Sequence, residues 1–416
     1  MTSIRRCEQK VFYPPQLEAD SPWKRISPFC IDKNRPARIF AKQERWRSMM
    51  ENRTWEYVSV FIMSWLLVYG LTPFIIKLAQ ALNFVDKPEA RKMHLTSVPY
   101  MGGLSVFIGF FLLCIYDVTI SANRSFDPAM LGYLGGSLLI MLIGLIDDRH
   151  GMNPIIKLLG QVAVSLIFIL SNFQLPELHN MFGSAYISLP LMVVWMVGLM
   201  NALNFLDNMD GILSGIAGIL GLGFFAFSLA NTTGSNGAEM AFIGLISLSF
   251  AGSALGFLPY NFNPAKIFLG DAGSMFIGYF LSSMGILMAR YAVLTRENNV
   301  FYLLPVLLLS YAIFDISLVS YTRKRDGRHV MQGGKDHSTH RINTALGSIK
   351  VTALIIYAIN ILIVLTTIII FITGNQVLLL VTTLMLAAFF IVFGRKLDQI
   401  PIVVPSNQQK TDKAGK

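Results

Sequence analysis

The sequence predicts an all-α, polytopic membrane protein with about eleven transmembrane helices. Of its 416 residues, 54% are hydrophobic and 14% are charged, and the mean hydropathy is +0.55. A soluble domain carries about 25% charged residues, so this composition excludes an ordinary soluble protein. The apolar runs are continuous and do not alternate with polar residues, which favours spanning helices over a β-barrel.

Each predicted helix is an apolar run long enough to cross about 30 Å of hydrocarbon. In chain order the eleven predicted spans are residues 57–82, 103–121, 129–146, 154–172, 188–206, 211–230, 239–258, 273–292, 299–321, 351–373 and 377–394. We therefore predict three regions, namely a basic, disordered N-terminal extension (1–56), a transmembrane domain (57–395) and a polar cytoplasmic tail (396–416).

The distribution of Lys and Arg predicts the orientation. Loops after spans 1, 3, 7 and 9 carry Lys87, Arg91, Lys92, Arg149, Lys266, Arg323, Lys324, Arg325, Arg328, Lys335 and Arg341, and loops on the other side carry only Arg124, Arg290 and Arg296. The positive-inside rule places the odd-numbered loops in the cytoplasm. The twelve Lys and Arg residues of 1–53 oppose this orientation. Because a second methionine, Met50, leads into the first span, we expect residues 1–49 to lie outside the working fold.

The net charge of +10 does not indicate a nucleic-acid partner. Lys and Arg lie at the ends of apolar runs, as orientation signals do, and form no stripe interleaved with aromatic residues. The three cysteines have neither metal-ligand nor disulfide spacing.

Strongly polar clusters fall at the predicted cytoplasmic ends of the spans. "GLIDDRHGMNPIIKLLGQ" carries Asp147, Asp148 and Lys157. "NALNFLDNMDG" carries Asn201, Asn204, Asp207 and Asp210 at steps of three residues, which lie on neighbouring faces of one helix. "YNFNPAKIFLGDAGS" carries Asn261, Phe268 and Asp271. The ninth span and loop carry Asp315, Asp336, His337, His340 and Arg341, and the first loop, "DKPEARKMHLTSVPYMGG", carries Arg91, Lys92 and His94.

Each cluster alone has an ordinary structural explanation. Acids at a helix end can be interfacial, Asp271 can be a helix N-cap, and asparagines can join helices by hydrogen bonds. Asp315 is harder to explain in this way, because an intramembrane carboxylate is costly and usually functional.

Taken together, the clusters bring carboxylates from separate loops to one membrane face, where a divalent cation would neutralise them. Oxygen ligands without cysteine favour Mg²⁺, with Mn²⁺ as the alternative. The cations and histidines suit phosphate oxygens. The sequence therefore predicts phosphoryl transfer to or from a lipid.

Five motifs, "DKPEARKMH…PYMGG", "DDR…K", "NFLDNMDG", "FNPAKIFLGDAGS" and "DHSTHR", resemble the polyprenyl-phosphate N-acetylhexosamine-1-phosphate transferase family in content and order. The resemblance covers roughly residues 57–395. The ninth loop is more similar to the N-acetylglucosamine-1-phosphate transferase branch than to the phospho-N-acetylmuramoyl-pentapeptide transferases, which carry a tight histidine triplet there. One departure is Asn208, which replaces the first glycine of the family's Asp-Gly-x-Asp-Gly pattern; asparagine tolerates a left-handed backbone.

The resemblance implies transfer of N-acetylglucosamine 1-phosphate, or a related sugar 1-phosphate, from a UDP-sugar to undecaprenyl phosphate. The reaction releases UMP and would begin cell-wall or surface-glycan synthesis on the cytoplasmic face of the inner membrane. Alternatives are the muramoyl-pentapeptide reaction and, from another class, an ion-coupled transporter, whose acids would lie near the midplane. Whether the displacement occurs in one step or two stays open, as does a homodimer.

The resemblance also implies roles for single residues. Asp271 and Asp148 would bind Mg²⁺, and Asp147, Asp148, Asp207 and Asp210 would be catalytic. Asn261 and Phe268 would flank the uridine, and His337, His340 and Arg341 would hold the diphosphate or sugar. The substrates would also contact Arg91, Lys92, His94, Lys157, Asn201, Asn204 and Asp315.

Overall fold

The computed structural model describes residues 35–86, 98–120, 128–172, 183–231, 237–330 and 334–401, with side chains described from Arg53 onward except at 117–120. The chain divides into the units Met1–Asn52 and Arg53–Lys416, and the site described below lies in the second. Arg91, Lys92 and His94 lie outside the described residues, so their predicted contacts with substrate stay predictions.

Thirteen α-helices and one pair of two-residue strands form the described part. In chain order they are α1 (Arg35–Ala81), β1 (Val85–Asp86), β2 (Val98–Pro99), α2 (Gly102–Ile120), α3 (Pro128–His150), α4 (Pro154–Ser171), α5 (Ala185–Leu206), α6 (Ile212–Ala230), α7 (Gly237–Asn261), α8 (Gly270–Arg296), α9 (Leu304–Leu308), α10 (Ser310–Arg325), α11 (Ser338–Leu346), α12 (Ile349–Thr373) and α13 (Gln376–Asp398). A 3₁₀ helix, Asn299–Leu303, precedes α9. Helix α1 begins inside the predicted N-terminal extension, and the three-region division stays a prediction.

Nine of the described helices are long and apolar enough to cross a membrane, or ten if one bent pair counts as a single span. The protein is therefore a multi-pass membrane protein. The predicted ninth span is not one straight helix, because Asn299–Leu308 and Ser310–Arg325 meet at 70°. The apolar stretch of α2, Gly102–Tyr116, is shorter than the other spans.

Helix α8 lies at the centre of the fold, and 94% of an apolar 18-residue stretch of this helix is buried. It packs against α2, α3 and α5, and small residues bring the backbones close. A Cβ on Gly103 would lie 2.1 Å from the Gly273 Cα, and one on Gly144 would lie 2.3 Å from the Ala272 Cα. Such close approach is how small residues allow helices to associate in membranes. The first turn of α8 is thereby fixed against α2 and α3.

The two strands pair antiparallel, with Val85 opposite Pro99 and Asp86 opposite Val98. The Phe268 amide donates to the Pro99 carbonyl at 2.9 Å, and the Gly102 amide donates to the Phe268 carbonyl at 2.9 Å. The small sheet therefore holds the start of α2 beside the residues that precede α8.

Candidate active site

A cavity of about 560 Å³ lies where α3, α5 and α7 end and α8 begins, which is one end of the helix bundle. Nine residues that the sequence motifs predicted line it: Asp147, Asp148, Asn204, Asp207, Asp210, Asn261, Phe268, Asp271 and His340. Seven further residues, to which the motifs assigned no role, also line it: Tyr100, Gly151, Asn208, Met209, Gly270, Lys335 and Ile349. Four of the five motifs that carry the resemblance thus supply predicted residues to one cavity, and Tyr100 comes from the fifth.

A larger groove of about 760 Å³ lies between α9–α10 and α13. Apolar side chains form most of its wall, and its single carboxylate, Asp398, is paired with Arg325. It lacks the clustered acids and amides of the smaller cavity, so the smaller cavity is the candidate site.

Lys157 lies between two carboxylates of the candidate site. Its Nζ is 2.7 Å from the Asp147 Oδ2 and 2.8 Å from the Asp271 Oδ2. Asp147 also accepts a hydrogen bond from the Met152 amide at 2.6 Å. Lys157 comes from the second turn of α4, which Asn153 caps at the Ile155 amide. One cation therefore joins the end of α3 to the start of α8.

Asp148 caps helix α8. Its two carboxylate oxygens accept from the Asp271 amide at 2.7 Å and the Ala272 amide at 3.1 Å. Gly270 makes this approach possible, because its φ is +73° and a Cβ there would lie 2.6 Å from the Asp148 Oδ2. Anions are favoured at helix N-termini, where amide groups are unpaired.

Of the two asparagines in the fifth-span motif, the structure brings one to the cavity. Asn204 donates to the Asp271 Oδ1 at 2.5 Å and to the Ser274 Oγ at 2.8 Å. Asn201 donates to the Gln161 Oε1 at 2.8 Å and does not line the cavity. Asn204 thus orients Asp271, and Asn201 joins α5 to α4.

The loop between α5 and α6 contributes two carboxylates that differ in their hydrogen bonding. Asp210 is buried and accepts from the Asn263 side chain at 2.8 Å and the Ala265 amide at 3.0 Å. Among the described residues, no hydrogen bond or ion pair reaches the Asp207 carboxylate. Desolvation, followed by the charges of Asp271, Asp148 and Asp210, raises the pKa of Asp207 to about 8. The cavity therefore has an excess of negative charge around Asp207.

Asn261 and Phe268, both predicted to flank the uridine, line the cavity. The Asn261 amide is already engaged, since it accepts from the Ser214 hydroxyl at 2.7 Å and donates to the Ile267 carbonyl at 3.0 Å. The Phe268 ring lies 6.1 Å from the Tyr100 ring, centroid to centroid. An aromatic wall is therefore present, to which Tyr100 adds a residue that the motifs did not single out.

The residues of the ninth loop form a buried network. Arg323 donates from Nε to the Asp336 Oδ2 at 2.9 Å and from a terminal nitrogen to the Asp336 Oδ1 at 2.7 Å. Burial alone would raise the pKa of Asp336, but the hydrogen bonds and charge of Arg323 hold it below its ordinary value. Asp315, also fully buried, accepts from the amide and hydroxyl of Ser338 at 2.8 and 2.5 Å.

His337 belongs to this network and does not line the cavity. Its Nδ1 lies 2.8 Å from the Asp315 Oδ2, and its Nε2 lies 3.5 Å from a terminal nitrogen of Arg323. His337 therefore lies between Asp315 and Arg323. Neither Asp315 nor His337 lines the cavity, and both side chains anchor the start of α11. Their predicted contacts with substrate stay predictions.

Arg341 likewise points away from the cavity. It donates to the Asp336 carbonyl at 2.9 Å and to the Leu397 carbonyl at 3.1 Å, which ties α11 to α13. Desolvation lowers the pKa of Arg341. Of the three ninth-loop residues predicted to hold the diphosphate or sugar, only His340 reaches the cavity.

His340 lines the cavity together with Lys335. Desolvation, followed by the charges of His337 and Lys335, lowers the pKa of His340 to about 4. His340 is therefore neutral at physiological pH in the free protein and offers a hydrogen bond. The motifs assigned no role to Lys335. This lysine directly precedes Asp336, and its position beside a predicted motif is the sequence signal that could have indicated its place in the site.

The side chains present fit a Mg²⁺ ion that completes its shell from substrate and water. Within the described residues, no group of three or more His, Cys, Asp or Glu side chains has the arrangement of a preformed metal site. Protein-bound Mg²⁺ usually takes one or two carboxylates plus phosphate oxygens and waters. Asp271 and Asp148 face the cavity, and the two amide contacts of Asp148 use about half of the lone pairs of a carboxylate.

Comparison with known proteins agrees with the motifs. The sequence profile of glycosyl transferase family 4 matches residues 130–289. The probable undecaprenyl-phosphate N-acetylglucosaminyl 1-phosphate transferase of Bacillus subtilis is 31% identical over 316 residues, which is 75% of this chain and 84% of that protein. The decaprenyl-phosphate N-acetylglucosaminephosphotransferase of Mycobacterium tuberculosis (strain H37Rv) is 31% identical over 320 residues, 73% of this chain and 79% of that protein. The phospho-N-acetylmuramoyl-pentapeptide-transferase of Staphylococcus haemolyticus is 29% identical over 289 residues, 64% of this chain and 85% of that protein. The resemblance drawn from the motifs is confirmed, and the chain belongs to glycosyl transferase family 4.

Proposed function

We propose that the protein transfers N-acetylglucosamine 1-phosphate, or a related sugar 1-phosphate, from a UDP-sugar to undecaprenyl phosphate and releases UMP. The observation that carries the proposal is the cavity, in which predicted residues from separate motifs meet. The two relatives named for N-acetylglucosamine phosphate transfer to a polyprenyl phosphate are each 31% identical to this chain.

In the proposed reaction an oxygen of the lipid phosphate forms a bond to the sugar-side phosphorus of the UDP-sugar. The bond from that phosphorus to the oxygen shared with UMP breaks, and UMP leaves with the electron pair. The second pKa of a phosphate monoester is about 6, so the nucleophile is already largely dianionic at neutral pH. Removing a proton is therefore a small part of the catalysis, whether displacement occurs once or twice through a phosphorylated aspartate.

The protein's main task is to hold two anionic substrates together. Asp147 and Asp148 would orient the lipid phosphate, and Lys157 fixes Asp147 and Asp271 in place. Lys335 and His340, on the cavity wall, would contact the diphosphate. Phe268 and Tyr100 offer ring faces to the uracil base.

We further propose a Mg²⁺ ion held by Asp271, with Asp148 as the second ligand. When bound, the ion would reduce repulsion between the substrates and stabilise charge on the leaving phosphate. The carboxylates of Asp271, Asp148 and Asp210 support this proposal: after desolvation, their charges raise the pKa of Asp207, and a cation would neutralise them.

We propose that the chain crosses the inner membrane eleven times and that the cavity opens to the cytoplasm. The short α2 and the bent pair would supply the spans beyond the nine long helices. The positive loops that flank the cavity support the cytoplasmic assignment. Placement of the acids at helix ends, instead of near the midplane, makes an ion-coupled transporter the weaker alternative.

The experiment is incubation of the purified protein with undecaprenyl phosphate, Mg²⁺ and radiolabelled UDP-sugars, with lipid-linked product and UMP both measured. We expect product with UDP-N-acetylglucosamine or a close analogue, loss of product with excess chelator, and recovery with Mg²⁺. Asp271→Asn should lose product, whereas Asp326→Asn, a matched change outside the cavity, should not. Absence of product with every UDP-sugar, or product only with UDP-N-acetylmuramoyl-pentapeptide, would contradict the proposal.

A further inference from the structure

Asn208 is the residue at which this chain departs from the family's Asp-Gly-x-Asp-Gly pattern, and its side chain has two partners. Its amide nitrogen donates to the Phe205 carbonyl at 2.7 Å, and its amide oxygen accepts from the Thr339 hydroxyl at 2.5 Å. Asn208 is not among the residues with positive φ, so a left-handed backbone is not the reason for asparagine here. A glycine would lose both hydrogen bonds.

The hydrogen bond to Thr339 joins two segments that line the cavity, the loop after α5 and the start of α11. Asn208 lies next to Asp207 in the loop after α5, and Thr339 lies next to His340 in the first turn of α11. Both Asp207 and His340 line the cavity. A displacement of one partner relative to the other therefore changes the distance between Asp207 and His340.

The burial of Thr339 makes the contact costly to lose. Thr339 is 0% exposed, so its hydroxyl cannot exchange the asparagine for bulk water. An unpaired buried polar group costs more than the net worth of its hydrogen bond.

Among the contacts that hold the first turn of α11, those of Ser338 and Thr339 directly precede His340. Asp315 holds the Ser338 amide and hydroxyl, which fixes the start of the helix. Asn208 accepts a hydrogen bond from the Thr339 hydroxyl, and this contact sets the orientation of the turn. His340 follows directly, so its ring position depends on both anchors.

We propose that Asn208 and Thr339 form a positioning pair that sets His340 for the diphosphate of the nucleotide-sugar. The inference rests on the proposed function and goes beyond it, because neither residue is expected to touch the reacting atoms. Its effect should fall on the KM for the nucleotide-sugar, since the pair supports the part of the cavity wall that bears His340.

The test is a double-mutant cycle in the full-length protein with UDP-N-acetylglucosamine and undecaprenyl phosphate. We expect Asn208→Ala and Thr339→Val each to raise the KM for the nucleotide-sugar by roughly three- to tenfold, the range of one hydrogen bond. The kcat should change less than about twofold, and the double variant should resemble either single variant, because both remove one interaction. Thr339→Ser, which keeps the hydroxyl, should restore the KM. Thr344→Val, which removes a hydroxyl that donates only to the His340 carbonyl of its own helix, is the matched control and should leave the KM unchanged.

Additive losses in the double variant would overturn the proposal, as would an unchanged KM in Thr339→Val. A fall in thermal stability with wild-type kinetics would likewise assign the pair a structural role only. These outcomes differ from failure of the proposed function, in which the wild-type protein itself would make no lipid-linked product.

Discussion

Lys157 provides the sharpest single test of the candidate site, because one ammonium group serves two carboxylates. Lys157→Met keeps the length of the side chain and removes the charge. Asp147 and Asp271 would then face each other without the cation that now lies 2.7 and 2.8 Å from their oxygens. We expect the variant to insert and fold but to lose most of its activity.

The magnitude follows from the exposure of the three side chains. Exposed ion pairs contribute about 0–1 kcal/mol, and breaking a buried pair costs about 3–5 kcal/mol. The Lys157 side chain is 16% exposed, that of Asp147 9% and that of Asp271 35%. The free energy lost on removing the ammonium group should therefore lie between these limits. A loss of about 2–3 kcal/mol from the transition state lowers kcat/KM by a factor of roughly 30 to 150.

The assay is transfer of radiolabelled sugar phosphate to undecaprenyl phosphate by purified protein at saturating Mg²⁺. Lys396→Met, at an exposed lysine of α13 that does not line the cavity, is the matched control and should keep wild-type kcat/KM. Thermal unfolding should show a lower Tm for Lys157→Met and partial recovery in Lys157→Met/Asp147→Asn, because only one carboxylate then lacks a cation. A Lys157→Met protein with kcat/KM within threefold of wild type would refute the reasoning.

Three further predictions concern the proposed metal ligand, the titration of the site and the orientation of the chain. Asp271→Asn should lower turnover by more than tenfold, a loss above about 1.4 kcal/mol, with insertion intact; smaller losses in the purified variant would leave Asp271 as a helix cap only. Because the pKa of His340 is lowered to about 4 from its ordinary 6.5, its charge should not change between about pH 5.5 and 8. The ratio of kcat/KM for wild type and His340→Asn should therefore be constant over that range, and a step near pH 6.5 would contradict the lowered pKa. The lowered pKa also means that acidification from 6.5 towards 4 destabilises the fold, because the unfolded chain binds the proton first. With the native cysteines replaced by serine, a cysteine at Lys324 should resist a membrane-impermeant thiol reagent in intact cells and one at Asn299 should react; the reverse pattern would overturn the cytoplasmic assignment.

The sequence alone located the helices well, because length and hydropathy are local properties. The predicted span 154–172 coincides with α4, where Asn153 and Pro154 mark the start as an N-cap and a first-turn proline do. The ninth span shows the limit of this reasoning. Its hydropathy is continuous, and the 70° bend after Leu308 depends on packing that a hydropathy profile does not contain.

The sequence predicted which carboxylates line the cavity better than it predicted the role of each residue. Asp148, Asp207 and Asp271 were all assigned to it, and all line the cavity. Asp315 and His337 were assigned to substrate by the same reasoning, yet they bond to each other across 22 residues. A buried carboxylate needs a partner whether that partner is a ligand or a histidine, so residue type alone does not distinguish the two.

The pairing of the acids explains why a site for anionic substrates is lined by carboxylates. Asp336 pairs with Arg323, and Asp315 in α10 accepts a hydrogen bond from Ser338. Each of these two acids therefore has a cation or donor of its own. On the cavity wall, by contrast, Asp147 and Asp271 share Lys157, and no ion pair reaches Asp207 within the described residues. Two anionic substrates entering this cavity would raise the repulsion further unless positive charge came with them. A Mg²⁺ ion that arrives with the diphosphate meets this requirement, since it takes few protein ligands and shares phosphate oxygens. Under the proposed function, we therefore expect the site to accept the nucleotide-sugar as its metal complex and to bind the free anion weakly.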